Sequence, residues 1–119
     1  MKKILIAEDE KPYSKALVLK LQHNGYEASS VENGEEAIAA LNRDKFDLLL
    51  LDLIMPKMDG FAVLEAIKTQ GLNVPVIVLS NLSQADDEKR VRELGAKEFL
   101  GKSSVSIAEV INLVNSILK

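Results

Sequence analysis

Asp52 closes an apolar run, Leu48-Leu49-Leu50-Leu51, and is followed by Leu53-Ile54-Met55-Pro56-Lys57-Met58-Asp59-Gly60. A buried strand that ends in a carboxylate and then breaks at proline and glycine leaves one anion at the rim of a sheet. Other strand-like runs end at polar residues: Glu8-Asp9 follow Ile4 to Ala7, Ser80 follows Val76 to Leu79, and Lys102 follows Glu98 to Gly101. If these runs are parallel strands, all four ends lie along one edge. Three carboxylates gathered there repel one another in a partly desolvated cleft, which calls for a divalent cation or an ammonium. Oxygen donors without cysteine or histidine suit a hard ion, Mg2+. Lys102 can also hold a phosphoryl oxygen, and the Ser80 hydroxyl can hold another. Such a set can perform metal-assisted phosphoryl transfer to a carboxylate.

Each residue alone has a plainer explanation. An aspartate after a strand is commonly a cap or a solvated turn residue, and Glu8-Asp9 could simply favour the positive N-terminus of the first helix. Lys102 alone reads as a surface lysine and Ser80 alone as a turn former. Four independent strand ends that agree outweigh those readings. Phe99, in a short edge strand, reads equally as core. His23 reads as a solvated helix residue, Met55 and Met58 as loop packing, and Asp86 to Arg90 as a solvated helical face.

The elements that must position these groups follow from periodicity. Ile4 to Ala7 reads as the first strand, and Pro12 suits the first turn of a helix that Asn24-Gly25 ends. Tyr26 to Val31 alternates weakly as a second strand before a turn at Asn33-Gly34. A helix carrying Ala37, Ile38 and Leu41 ends near Asp44, and Leu48 to Leu51 is the third strand. Phe61 to Thr69 is a helix, Val76 to Leu79 the fourth strand, and Ser83 with Asp86 opens a fourth helix that ends at Leu94-Gly95. Glu98 to Gly101 is a short fifth strand. Ser106 and Glu109 form a capping box for a last helix with Ile107, Val110, Ile111, Val114 and Leu118 on its apolar face.

This five-fold alternation of strand and helix predicts an α/β domain, a doubly wound parallel sheet covered on both faces. The first, third and fourth strands are nearly all apolar and so central; the second is mixed and the fifth short, so both are edges. Right-handed crossovers then favour the order 2-1-3-4-5 with five helices. The winding reverses between the first and third strands, beside Glu8-Asp9 and Asp52.

Composition sets the outer limits. The chain has 119 residues, enough for one domain over 1–119 and little more. The absence of cysteine excludes disulfides and thiolate metal sites. A formal charge of −3 argues against a general polyanion binder. No apolar stretch approaches the ~20 residues that span a membrane, and the first apolar run is too short for a signal-peptide core. A soluble cytoplasmic domain, without membrane or direct nucleic acid binding, is expected.

The acidic pair Glu8-Asp9, the segment Asp52 to Gly60, Ser80, the Gly95-Ala96 turn, Phe99 and Lys102 together resemble a bacterial response-regulator receiver domain, chemotaxis-regulator-like, over essentially the whole chain. The resemblance implies a flavodoxin-like fold with Asp52 as phospho-acceptor in a two-component system. The donor would be a histidine kinase or a phosphotransfer protein. It implies Mg2+ bound by Asp9, Asp52 and the backbone carbonyl of Ile54, with Glu8 acting through a water. Lys102 would pair with the phosphoryl group, Ser80 would move to hydrogen-bond it, and Phe99 would rotate inward as Ser80 leaves. The domain would catalyse only its own phosphorylation and dephosphorylation, and would act through a downstream effector protein or an output domain.

Three positions depart from the family pattern. Ser103 follows Lys102 where proline in a cis peptide is common, so a trans linkage is expected. Asn81 follows Ser80 where a small residue is usual; its amide is expected to restrict the site or to add a hydrogen bond. Leu113 stands where dimerising receivers often carry arginine, so their charged dimer face is not expected. Two other enzyme or carrier classes share parts of this plan. A flavin carrier would need a phosphate-cradling loop after the first strand, where Glu8-Asp9-Glu10 is anionic. An aspartate-nucleophile phosphatase resembles Asp-x-Asp at the site, where the second position here is Ile54. A degenerate receiver that only binds a partner is the strongest rival, though no element of the acceptor site is missing.

Overall fold

The computed structural model describes residues 1–81 and 85–119, with Ala85 by its backbone alone. In chain order the elements are β1 (Lys3–Ala7), α1 (Lys11–His23), β2 (Glu27–Val31), α2 (Gly34–Arg43), β3 (Leu48–Leu51), α3 (Gly60–Gln70), β4 (Val76–Ser80), α4 (Ala85–Glu93), β5 (Glu98–Gly101) and α5 (Ile107–Leu118). The five strands are parallel in the order β2-β1-β3-β4-β5, as the strand compositions predict. β1, β3 and β4 are central and almost wholly buried, while β2 and β5 form the edges.

Alternation along each central strand divides the core in two. Leu5, Ala7, Leu49, Leu51, Val76 and Val78 face α2, α3 and α4, where Ala37, Val63, Leu64 and Val91 meet them. Ile4, Ile6, Leu48, Leu50, Ile77 and Leu79 face α1 and α5, against Leu17, Leu21, Val110 and Val114. Because both faces are covered, the central strands need apolar residues at every position, which is what their sequences supply.

Helix ends follow local chemistry. Asn33 does more than mark a turn: its side chain accepts from the Glu36 N–H and caps α2. Asp59 likewise caps α3 through the Ala62 N–H, and Gly71 ends that helix at φ 67°. The capping box of α5 is formed, with Ser106 accepting from the Glu109 N–H and Glu109 accepting from the Ser106 N–H. The Ser83–Asp86 pair expected at the start of α4 lies outside the described residues. No cis peptide occurs among the described residues, so the Lys102–Ser103 bond is trans.

Two glycines fasten the loop between β3 and α3. A Cβ at Gly60 would lie 2.5 Å from the Asp52 carbonyl oxygen, and one at Gly34 would lie 2.2 Å from that of Met58. Hydrogen bonds use the space: Gly60 N–H donates to the Leu53 carbonyl and Gly34 N–H to the Met58 carbonyl, each at 3.0 Å. Between them Lys57 takes φ 66° in a three-residue turn closed by Met58 N–H to the Pro56 carbonyl. Gly60→Ala is therefore expected to destabilise the fold by about 1–3 kcal/mol, because the obstructing atom is backbone and cannot swing aside. Urea unfolding measures this; an unchanged midpoint would contradict the close approach.

Candidate functional site

The residues singled out by the sequence meet at the carboxyl edge of the sheet because the ladder of backbone hydrogen bonds carries on beyond the strands. Glu8 N–H donates to the Val31 carbonyl, Asp52 N–H to that of Ala7, and Lys102 N–H to that of Ser80, at 2.9–3.0 Å. Each functional residue is thus fixed by the strand beside it. Glu8 (3 % exposed), Asp52 (5 %), Lys102 (9 %) and Ser80 (0 %) are all buried.

Lys102 is the centre of the cluster. Its Nζ lies 2.6 Å from Glu8 Oε1, 2.5 Å from Glu10 Oε1 and 3.5 Å from Asp52 Oδ2. The ammonium also stands 4.8 Å from the centre of the Tyr13 ring. Burial by itself would depress the lysine pKa. The hydrogen bonds to Glu10 and Glu8 and the charge of Asp52 outweigh it and hold the ammonium above the ordinary lysine value. Glu8 moves the other way from most paired carboxylates. Burial pushes it up to about 7, against the Lys102 ammonium and the Glu10 N–H, which donates to Glu8 Oε2 at 3.0 Å.

Asp52 Oδ1 accepts from the Ile54 N–H at 3.3 Å, which turns the carboxylate toward the cleft. That cleft, of about 200 Å3, is lined by Asp9, Glu10, Asp52, Ile54, Asn81 and Lys102. Glu8, Glu10 and Asp52 each offer an oxygen within 4.8 Å of the others. An all-oxygen carboxylate set of this size fits a hard divalent cation.

The structure thus brings together Glu8, Asp52 and Lys102, with Ser80 bonded to Lys102 through its backbone carbonyl and the exposed Asp9 and Ile54 on the wall of the cleft. Phe99 is partly buried against the core face of α2, α3 and α4. Sequence reasoning noted Glu10 only as part of an anionic loop and gave Tyr13 no part. Glu10, the N-cap residue of α1 with φ −81° and ψ 99°, makes no side-chain cap bond and instead carries its carboxylate to Lys102. Asn81 does make an added hydrogen bond, and its partner is the other departure: Ser103 Oγ donates to Asn81 Oδ1 at 2.6 Å.

The response regulator receiver domain family matches residues 4–115. The chain belongs to that family. Among curated relatives, the transcriptional regulatory protein PcoR of Escherichia coli is 31 % identical over 119 residues, covering all of this chain and 52 % of PcoR. This receiver spans about half the length of the curated relatives it matches. The Francisella response regulator 1452 receiver domain superposes with a TM-score of 0.92 at 31 % identity, over 98 % of this chain and 96 % of that one. The Thermotoga maritima response regulator TrrA, solved with Mg(2+)-BeF, gives a TM-score of 0.85 at 30 % identity, over 99 % and 100 %. Receiver domains are regulatory switches, and response regulators work with histidine kinases and effectors. Among the described residues, no helix of this receiver is long and apolar enough to cross a membrane.

The raised Glu8 gives a pH dependence with a definite sign. The folded receiver keeps the Glu8 proton to about pH 7, whereas the unfolded chain releases it near 4.5. Between those values the folded state binds more protons, so the Glu8 contribution to stability is present at low pH and is lost as pH rises through about 7. In chelator, Glu8→Gln is expected to remove this component of the melting-temperature slope between pH 5 and 8. Parallel slopes for the two proteins would refute it.

Proposed function

We propose that Asp52 accepts a phosphoryl group from the phosphohistidine of a histidine kinase or phosphotransfer protein. The observation that carries this reading is a buried carboxylate 3.5 Å from a buried ammonium, open to a cleft lined by further carboxylates. An Asp52 carboxylate oxygen forms the new O–P bond while the P–N bond to the donor imidazole breaks. The imidazole keeps the electron pair and takes up a proton. Lys102, which stays protonated, leaves its carboxylate partners to pair with the transferred oxygens. Ser80, at the end of β4, then donates its hydroxyl to the phosphoryl group, and Phe99 follows by moving inward.

Mg2+ is the cation this reading requires. Asp9, Asp52 and the Ile54 carbonyl would hold it directly and Glu8 through a water; Glu10, close to Glu8 and Asp52 in the carboxylate set, is a further donor. When bound, it neutralises charge that develops on the transferred oxygens. The same oxygen-donor chemistry is consistent with TrrA, which is described with Mg(2+)-BeF.

In this reading residues 1–119 form one receiver domain whose only chemistry is its own phosphorylation and dephosphorylation. It works in the cytoplasm, without direct contact to nucleic acid or membrane. Its phosphorylated form alters an interaction surface for an effector protein or an output domain; only one arrangement of Ser80 satisfies the added charge and acceptor oxygens.

Intact mass after incubation with Mg2+ and acetyl phosphate tests the assignment. A hydroxylamine-labile gain of one phosphoryl group is expected on the native protein and not on Asp52→Asn. Equal gain on both would move the acceptor elsewhere, and a folded native protein that gains nothing from acetyl phosphate or from a phosphohistidine donor would favour a degenerate receiver. The bond between Asn81 and Ser103 generates a second expectation. It ties the loop after β4 to the loop after β5 beside the cleft and limits the approach of hydrolytic water. Asn81→Ala is expected to shorten the phosphoryl lifetime severalfold, read as loss of the adduct with time. An unchanged lifetime would remove Asn81 from that part.

A further inference from the structure

Tyr13, in the first turn of α1, is the aromatic that the Lys102 ammonium sits over. Its ring packs against the core face of α1 and α5, and Lys102 Nζ lies 4.8 Å from the ring centre. A cation at that distance over an aromatic face is attracted by the ring's quadrupole, more strongly where water is excluded. The phenolic oxygen is buried and makes no hydrogen bond among the described residues. Burial also raises the phenol above its ordinary pKa, so the side chain stays neutral. What this residue offers its surroundings is therefore a ring face.

That face differs in kind from the other neighbours of Lys102. Glu8, Glu10 and Asp52 are the carboxylates that a divalent cation would draw on, and Asp52 is the one that would be esterified. A bound cation or phosphoryl group would compete with Lys102 for each of those carboxylates. Neither a metal ion nor a phosphoryl group competes for a neutral ring.

We propose that Tyr13 is the positioning residue for Lys102, its ring keeping the ammonium turned toward Asp52 while the carboxylates are engaged elsewhere. This rests on Asp52 being the acceptor and adds the means by which its lysine is kept in place.

The test changes the ring's charge distribution without changing its shape. Tyr13 is replaced by phenylalanine and by phenylalanines carrying one, two and three ring fluorines, in the full chain. Adduct formation from acetyl phosphate is timed at saturating Mg2+. Tyr13→Phe is expected to stay within about twofold of the native rate, and fluorination to lower the rate stepwise, by about tenfold at the end of the series. A packing role predicts no such trend, so a flat series overturns the proposal. A second readout needs no transfer: the Lys102 ε-methylene protons should resonate upfield of those of other lysines, with and without Mg2+, and return to the common position in Tyr13→Leu. Loss of the upfield position on adding Mg2+ would also overturn it. No adduct on the native protein would strike the assignment of Asp52 instead, and the Lys102 resonance would still decide whether the ring holds the ammonium.

Discussion

The carboxyl edge of this sheet depends on one ammonium. Three carboxylates with oxygens inside 4.8 Å of one another, two of them buried, cannot all stay charged without a cation among them. Lys102 reaches all three, and the response of each group follows from that contact. The ammonium is held protonated by its partners, while Glu8 is pushed by burial to bind a proton near neutrality. The resting site is thus an anionic cluster only partly neutralised. A cluster in that condition favours a divalent cation over vacancy of charge, and tolerates a phosphoryl group once the cation is present. That incomplete neutralisation is what makes the site receptive.

Holding such a cluster together requires backbone, because side chains alone could move apart to relieve the repulsion. The ladder bonds of Glu8, Asp52 and Lys102 to Val31, Ala7 and Ser80 supply it. The loop after Asp52 is pinned in turn by Gly60 against the Asp52 carbonyl and by Gly34 against that of Met58. Bulk is excluded at both glycines by backbone atoms, so the constraint is steric and does not fade with solvent or salt. Strand order, loop geometry and charge cluster are for that reason a single structural requirement.

Much of this was legible in the sequence because it depends on patterns that burial enforces. Apolar continuity marked β1, β3 and β4 as central, and polar residues at their ends marked the edge where chemistry sits. The direction in which each side chain turns at a strand-to-helix junction was harder to read. The chain bends at Asp9, so strand alternation does not extend past Glu8, and the reach of Glu10 to Lys102 could not be read from a period of two. Tyr13 was illegible for another reason: its contact with Lys102 joins residues 89 positions apart, across α1 and the end of β5. The Asn81–Ser103 bond is of the same kind. Both were visible as unusual residues, and neither as partners.

The two core faces also divide the work that follows from the edge. Tyr13 and α5 lie on one side of the sheet, Phe99 and α4 on the other. α4 is the helix with the smallest apolar hold among the described residues. Val91 is its buried side chain; Arg90 pairs with Glu65 and lies over the Phe61 ring, Arg92 pairs with Glu98 and donates to the Lys97 carbonyl, and these ion pairs are exposed. Pairs of that sort contribute about 0–1 kcal/mol each. Phe99 beside it has no hydroxyl and is held by packing alone. An element held this weakly can be shifted by a free-energy difference of the size that one new hydrogen bond to a phosphoryl oxygen supplies. The Tyr13 side is anchored by a continuous apolar contact of Leu17 and Leu21 with Val110 and Val114. The two faces of the sheet are thus held unequally beside the charged edge, with α4 the helix of lightest apolar hold among the described residues.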